Sequence, residues 1–135
     1  MKRKNYDHSN ITNGFIGYGI TMLVDLLSAL IVSIFIFNEY FEVQQIQPAV
    51  FITHFLAAFC GVRYLIKRVG ERKILHASVI AGAYYLTQII AAMLLFDGLN
   101  SRVFMCFIPI FSGTAGAILI GAKPKSRTKR RVIRK

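Results

Sequence analysis

At 135 residues the chain is long enough for one compact unit, yet 55% of it is hydrophobic and its formal charge is +11, with a mean hydropathy of +0.51. A water-soluble domain of this size cannot hide so much apolar surface in one core, so the composition excludes an ordinary soluble fold unless apolar and charged residues occupy separate stretches. In this sequence they do.

Residues 1–13 form a basic start, opening Met1-Lys2-Arg3-Lys4, before an apolar run that begins near Gly14. That run is too long for the apolar part of a secretion signal, and no small-x-small cleavage site precedes Phe37, so it reads as an uncleaved first membrane span. Four apolar segments follow one another, at about 14–37, 48–66, 74–96 and 103–122. Each has roughly the 20 residues that a helix needs to cross a hydrocarbon layer of about 30 Å. In that layer every backbone amide must be paired within its own segment, which predicts helices.

The connections agree with this division. Asn38–Gln47 carries Glu39 and Glu42 and ends at Pro48, a residue suited to the first turn of a helix. Lys67–Lys73 is short and charged, with Gly70 as a candidate terminator, and Asp97-Gly98-Leu99-Asn100-Ser101 is a turn signal. Short connections make successive helices antiparallel neighbours, so the expected fold is all-α, a four-transmembrane-helix up-down-up-down bundle over residues 14–122. The chain then changes character, and residues 123–135 read as a disordered basic tail.

Lys and Arg orient the bundle. Lys2, Arg3 and Lys4 lie at the start; Arg63, Lys67, Arg68, Arg72 and Lys73 lie around the middle connection; Lys123, Lys125, Arg127, Lys129, Arg130, Arg131, Arg134 and Lys135 lie in the tail. Only Arg102 falls on the opposite side, so the positive-inside rule places both termini and the middle connection in the cytoplasm. The cations expected to meet anionic lipid headgroups are Arg63, Lys67, Arg68, Lys123, Lys125, Arg127, Lys129, Arg130 and Arg131. No aromatic residues are interleaved in the tail to stack on bases, which speaks against nucleic acid as its partner.

Within the spans, Asp25 demands explanation. It lies about 16 Å from the cytoplasmic start of the first span at 1.5 Å per residue, a depth at which a charge costs at least about 2.5 kcal/mol. Counting the same depth on the other helices reaches the neighbourhood of His54, then Tyr85 with Tyr84 and Gln88 close by, then Ser112 and Thr114. The candidate intramembrane polar cluster is therefore Asp25, His54, Tyr85, Gln88, Ser112 and Thr114, with Asp25–His54 as the expected pair. Two roles fit such a layer: a proton, cation or substrate site, or an interhelical hydrogen-bond cluster that holds the bundle together. Small residues four apart, Ala57/Gly61, Ala77/Ala81 and Ser112/Gly116, predict close helix contacts.

Other chemistry is not indicated. Cys60 and Cys106 fall in apolar runs and read as buried thiols. There is no phosphate loop, no His-Glu-x-x-His and no nucleophilic triad, so the sequence predicts no enzyme, no metal and no cofactor.

The stretch Lys67-Arg68-Val69-Gly70-Glu71-Arg72-Lys73-Ile74-Leu75-His76-Ala77, followed by an apolar helix with Tyr84-Tyr85, resembles the YrzE-like family of small four-helix membrane proteins of Firmicutes. In that family a basic pair, Gly-Glu-Lys-Gly and an apolar-Leu-His-Gly stretch lead into the third span. The likeness carries the Gly70-Glu71 turn and the Leu75-His76 entry, and departs at Lys73 and Ala77, where the family has glycine. It implies a multi-pass protein of a Gram-positive plasma membrane and supplies no mechanism. The sequence thus predicts a non-enzymatic scaffold or accessory subunit, self-associating or attached to a larger membrane complex. The alternative is a minimal proton- or cation-coupled small-molecule transporter using Asp25. The strong charge bias argues against the antiparallel dimers that small multidrug carriers form.

Overall fold

The computed structural model describes residues 3–69, 72–95 and 104–121, with the side chains of residues 3–10, Val43 and Leu95 left aside. Four long helices account for most of these residues, and no strand occurs among them: α1 Arg3–Phe37, α2 Val43–Arg68, α3 Lys73–Leu95 and α4 Phe107–Gly121. Three contain stretches long and apolar enough to cross a membrane, Ile11–Phe37, Gln44–Arg68 and Lys73–Leu94. α4 is apolar but has 15 residues, about 22 Å of helix.

Two helices start earlier than the apolar runs suggest. α1 is already helical at Arg3, so the basic start continues into the first helix without a break. α2 begins at Val43, which places Pro48 inside the helix rather than in its first turn. The Gln45 side chain accepts the Glu42 N–H at 3.3 Å, capping the helix ahead of Pro48. The proline then gives up the bond that its missing N–H would have made to the Gln44 carbonyl, and its ring crowds that carbonyl. At the other end of α1, the Tyr40 N–H bonds Phe35 O and the Glu39 N–H bonds Ile36 O, both at 3.0 Å, with Glu39 at φ 59°. This is a Schellman closure with glutamate where glycine is usual. The Gly70-Glu71 turn, the 97–101 turn and the tail from Ala122 lie outside the described residues.

Sequence neighbours do not make the strongest pairings. α2 packs extensively on both α1 and α4, α3 crosses all three other helices, and among the described residues the α1 and α4 backbones do not come close to one another. This pattern sets α1 and α4 on opposite sides of the α2–α3 pair. The α2 residues that meet α1 (His54, Gly61, Leu65) and those that meet α4 (Phe55, Phe59, Ile66) lie roughly 120° apart at 100° per residue. The core fills the space between, with Val62, Leu65, Val69, Ala77 and Ile80 in one cluster and Ala57, Ala58, Ala81, Tyr84 and Ile110 in the other.

Glycine sets the two tightest seams. A Cβ on Gly61 would overlap the Thr21 hydroxyl and fall 2.7 Å from the Gly17 carbonyl oxygen of α1. A Cβ on Gly113 would fall 2.5 Å from the Phe55 carbonyl oxygen of α2. On α4 the close approach to α2 backbone therefore belongs to Gly113, while Ser112 is exposed and Gly116 supports the Phe59 ring at an ordinary distance. Outside the seams the surface is apolar: from Leu26 to Phe37 every α1 residue is exposed except the half-buried Ser28 and Val32.

Candidate functional site

α1 delivers Asp25 to the bundle interior because Thr21, Asp25, Ser28 and Val32 share one stripe, the least exposed along this part of the helix. The hydroxyls in this region bond their own helices: Thr21 donates to Gly17 O at 3.0 Å and Ser28 to Val24 O at 2.7 Å. That leaves the carboxylate to reach across. Its Oδ1 lies 3.1 Å from His54 Nδ1 of α2, and its Oδ2 accepts from Gln88 Nε2 of α3 at 2.9 Å. The Tyr84 hydroxyl stands 2.9 Å from the same His54 Nδ1, and its ring meets the imidazole edge-on at 6.0 Å. Tyr84 and Gln88 are four residues apart, so one face of α3 supplies both.

The His54 and Asp25 side chains retain only 11% and 15% of their exposure. A carboxylate can only accept, so with the pair's proton on Nδ1 the imidazole donates to Asp25 Oδ1. Asp25 thus has donors from two other helices, His54 of α2 and Gln88 of α3. Cys106 stands against the same imidazole and packs on the cluster around Tyr84. A second tie joins α1 to α3: the Tyr18 and Thr87 hydroxyls are 2.6 Å apart, and Thr87 donates to Ala83 O, so Tyr18 is the donor between them. Among the described residues no buried side-chain nitrogen or oxygen lacks a partner.

The structure brings Asp25, His54 and Gln88 of the candidate cluster into direct contact. The others make their contacts elsewhere. Tyr85 is half-buried, with its ring edge-on to Phe107 at 5.6 Å. The Ser112 hydroxyl donates to Pro109 O at 3.1 Å and the Thr114 hydroxyl to Ile110 O at 2.8 Å, both within α4. Tyr84 is the member that counting by depth passes over, and its i,i+4 relation to Gln88 is the sequence signal that identifies it.

Of the headgroup candidates, Arg63 and Arg68 lie over the Phe59 and Tyr64 rings, each at 5.7 Å, and Lys67 is exposed. Lys123, Lys125, Arg127, Lys129, Arg130 and Arg131 lie outside the described residues. Among the described residues no three His, Cys, Asp or Glu side chains gather as a metal site. No family model matches the chain, and neither a curated protein nor a solved structure matches it. The fold and site thus define a helical bundle with span-length apolar helices joined internally by a polar network.

Proposed function

We propose that the chain is a small multi-pass protein of the bacterial plasma membrane, a scaffold or accessory subunit without catalytic activity, whose Asp25 network is a structural joint. The observation that carries this reading is the complete internal use of the polar groups. Asp25 accepts from α2 and α3, His54 is shared between Asp25 and Tyr84, and Gln88 is spent on the same carboxylate. A carrier must release such bonds to a substrate or ion during its cycle, whereas a joint keeps them. Interhelical bonds of this kind contribute about 0.6–2 kcal/mol each in a membrane.

The proposed arrangement is up-down-up-down with both termini cytoplasmic. Its support is the contact register, in which later α1 residues meet earlier α2 residues (Gly17 with Leu65, Asp25 with His54), whereas α2 and α4 ascend together (Phe55 with Gly113, Ile66 with Gly121). The distribution of Lys and Arg gives the orientation. Four spans require α4 to be completed by residues flanking Phe107–Gly121. The exposed apolar surface of α1 supplies the lipid- or partner-facing side, and membership of the YrzE-like family is proposed on the Lys67–Ala81 likeness.

The second reading, a proton- or cation-coupled carrier, is favoured by the presence of an ionisable pair at mid-span. Reconstituted vesicles with a trapped pH indicator separate the two. The joint predicts equal proton flux in wild type, Asp25→Asn and empty vesicles, together with a lower melting temperature for Asp25→Asn in detergent. Flux that depends on Asp25 would establish the carrier instead.

A further inference from the structure

Asp25 accounts for the interior, but the outer face of α2 carries a separate arrangement. Arg63 is half-buried and sits five residues before Arg68, the last residue of α2, which puts its backbone about 7.5 Å inside the helix end. Its guanidinium lies over the Phe59 ring at 5.7 Å. That ring is fixed from two sides: it stacks on Phe55 with 6.2 Å between centroids and 10° between planes, and it rests on Gly116 of α4 at 3.8 Å from the position of a Cβ there. Lys67 follows Arg63 by one helical turn and is exposed. Below them on the same stripe, Leu56 and Ile52 are 43% and 57% exposed. Among the described residues neither cation has an acidic partner, the one ion pair being His54–Asp25.

The stripe therefore runs from apolar at mid-span to doubly cationic at the helix end, with one cation held in place by a ring braced on two helices. That polarity matches a phospholipid: acyl chain along Ile52 and Leu56, phosphodiester at Arg63 and Lys67. The geometry points to a specific binding site for an anionic phospholipid on the outer face of α2 along its seam with α4. Arg63 forks onto the phosphate oxygens, and Lys67 adds a second charge nearer the water. A zwitterionic lipid presents the same phosphate but brings its own cation, so the site discriminates by net headgroup charge. The inference rests on the membrane reading proposed above and adds to the expected headgroup contact a defined place and a selectivity for headgroup charge.

Native mass spectrometry of the full chain released from detergent tests it, with dioleoylphosphatidylglycerol and dioleoylphosphatidylcholine offered in equal amounts. Retention of one phosphatidylglycerol with a preference of about tenfold is expected. The preference should collapse toward parity in Arg63→Gln and fall in Lys67→Gln, whose exposed position makes it safe for folding. The Arg63→Gln/Lys67→Gln double variant should lose it altogether, whereas Arg72→Gln with Lys73→Gln, which removes the same number of charges at the start of α3, should keep it. Equal loss in the site double variant and the α3 double variant, retention without preference, or equal competition by the deacylated glycerophosphoglycerol headgroup would overturn the site. Replacement of lipid by a second copy or an acidic protein in the spectra would also overturn it. Extraction separates this failure from that of the membrane reading: a chain that leaves membranes in alkaline carbonate without detergent contradicts both. One that stays in the bilayer but shows no lipid preference contradicts only the site.

Discussion

Thr21 of α1 and Gly61 of α2 occupy space that only a missing side chain leaves open: a Cβ on Gly61 would overlap the Thr21 hydroxyl. The contact is backbone-deep, because the Gly17 carbonyl would lie 2.7 Å from the same Cβ. It brings α1 close enough to α2 for the short Asp25 side chain to reach His54. Gly61→Ala should therefore cost about 1–3 kcal/mol, the range for overpacking a tight seam. Gly113→Ala, aimed at the Phe55 carbonyl, should behave likewise. Gly82→Ala meets nothing within 4 Å and should be neutral or gain up to about 1 kcal/mol from helix propensity. Melting temperatures of the three variants in one detergent check the ordering.

The closure of α1 places Glu39 at φ 59°, a region that costs an L-residue roughly 1–2 kcal/mol. Glu39→Gly should raise stability by about 0.5–1 kcal/mol once the extra freedom of glycine in the unfolded chain is subtracted. Glu39→Ala, which keeps a Cβ, should not. An equal gain from both variants would assign the effect to the lost charge instead of the backbone.

Neighbouring tyrosines should differ. Tyr84 is fully buried and its hydroxyl stands against His54 Nδ1, so Tyr84→Phe removes a partner from a buried polar group and should cost about 1–2 kcal/mol. Tyr85 meets Phe107 through its ring, which a phenylalanine preserves, and Tyr85→Phe should stay within about 0.5 kcal/mol of wild type. Chemical denaturation followed by circular dichroism gives both values.

Much of this was legible in the sequence, for physical reasons that also mark the limits. Span-length apolar runs announce helices because a bilayer accepts little else, and α2 and α3 contain the expected 48–66 segment and most of the 74–96 segment. Helix ends were less legible: α2 starts five residues before Pro48, since a proline early in a helix loses one bond and does not forbid a preceding turn. Depth counting brought Asp25 toward His54 because depth along antiparallel helices is a one-dimensional quantity. It says nothing of rotation about the axis, which is why it named Tyr85 where the inward face carries Tyr84. On α4 the same blindness pointed to Ser112 and Thr114, whose hydroxyls are taken by carbonyls one turn back. The α2–α4 pairing was not legible either, because short connections announce only sequential neighbours.

The proposed orientation has its own check. Alkaline phosphatase fused after Glu39 should be active in the periplasmic or external space, and the same reporter fused after Arg68 or after Lys135 should be inactive. The asymmetry follows from the Lys and Arg distribution, which leaves only Arg102 on the far side. Activity at all three positions would mean dual insertion.

The central claim is that Asp25 and His54 act as a joint between helices. A double-mutant cycle on Asp25→Leu and His54→Leu, read as unfolding free energy in mixed micelles, tests it most directly. Each single variant strands a buried polar partner, so the account predicts that the double variant costs less than the two singles together, with a coupling of about 0.6–2 kcal/mol. Additivity within about 0.3 kcal/mol would contradict it, because two side chains that hold a bundle together through one another cannot be lost independently.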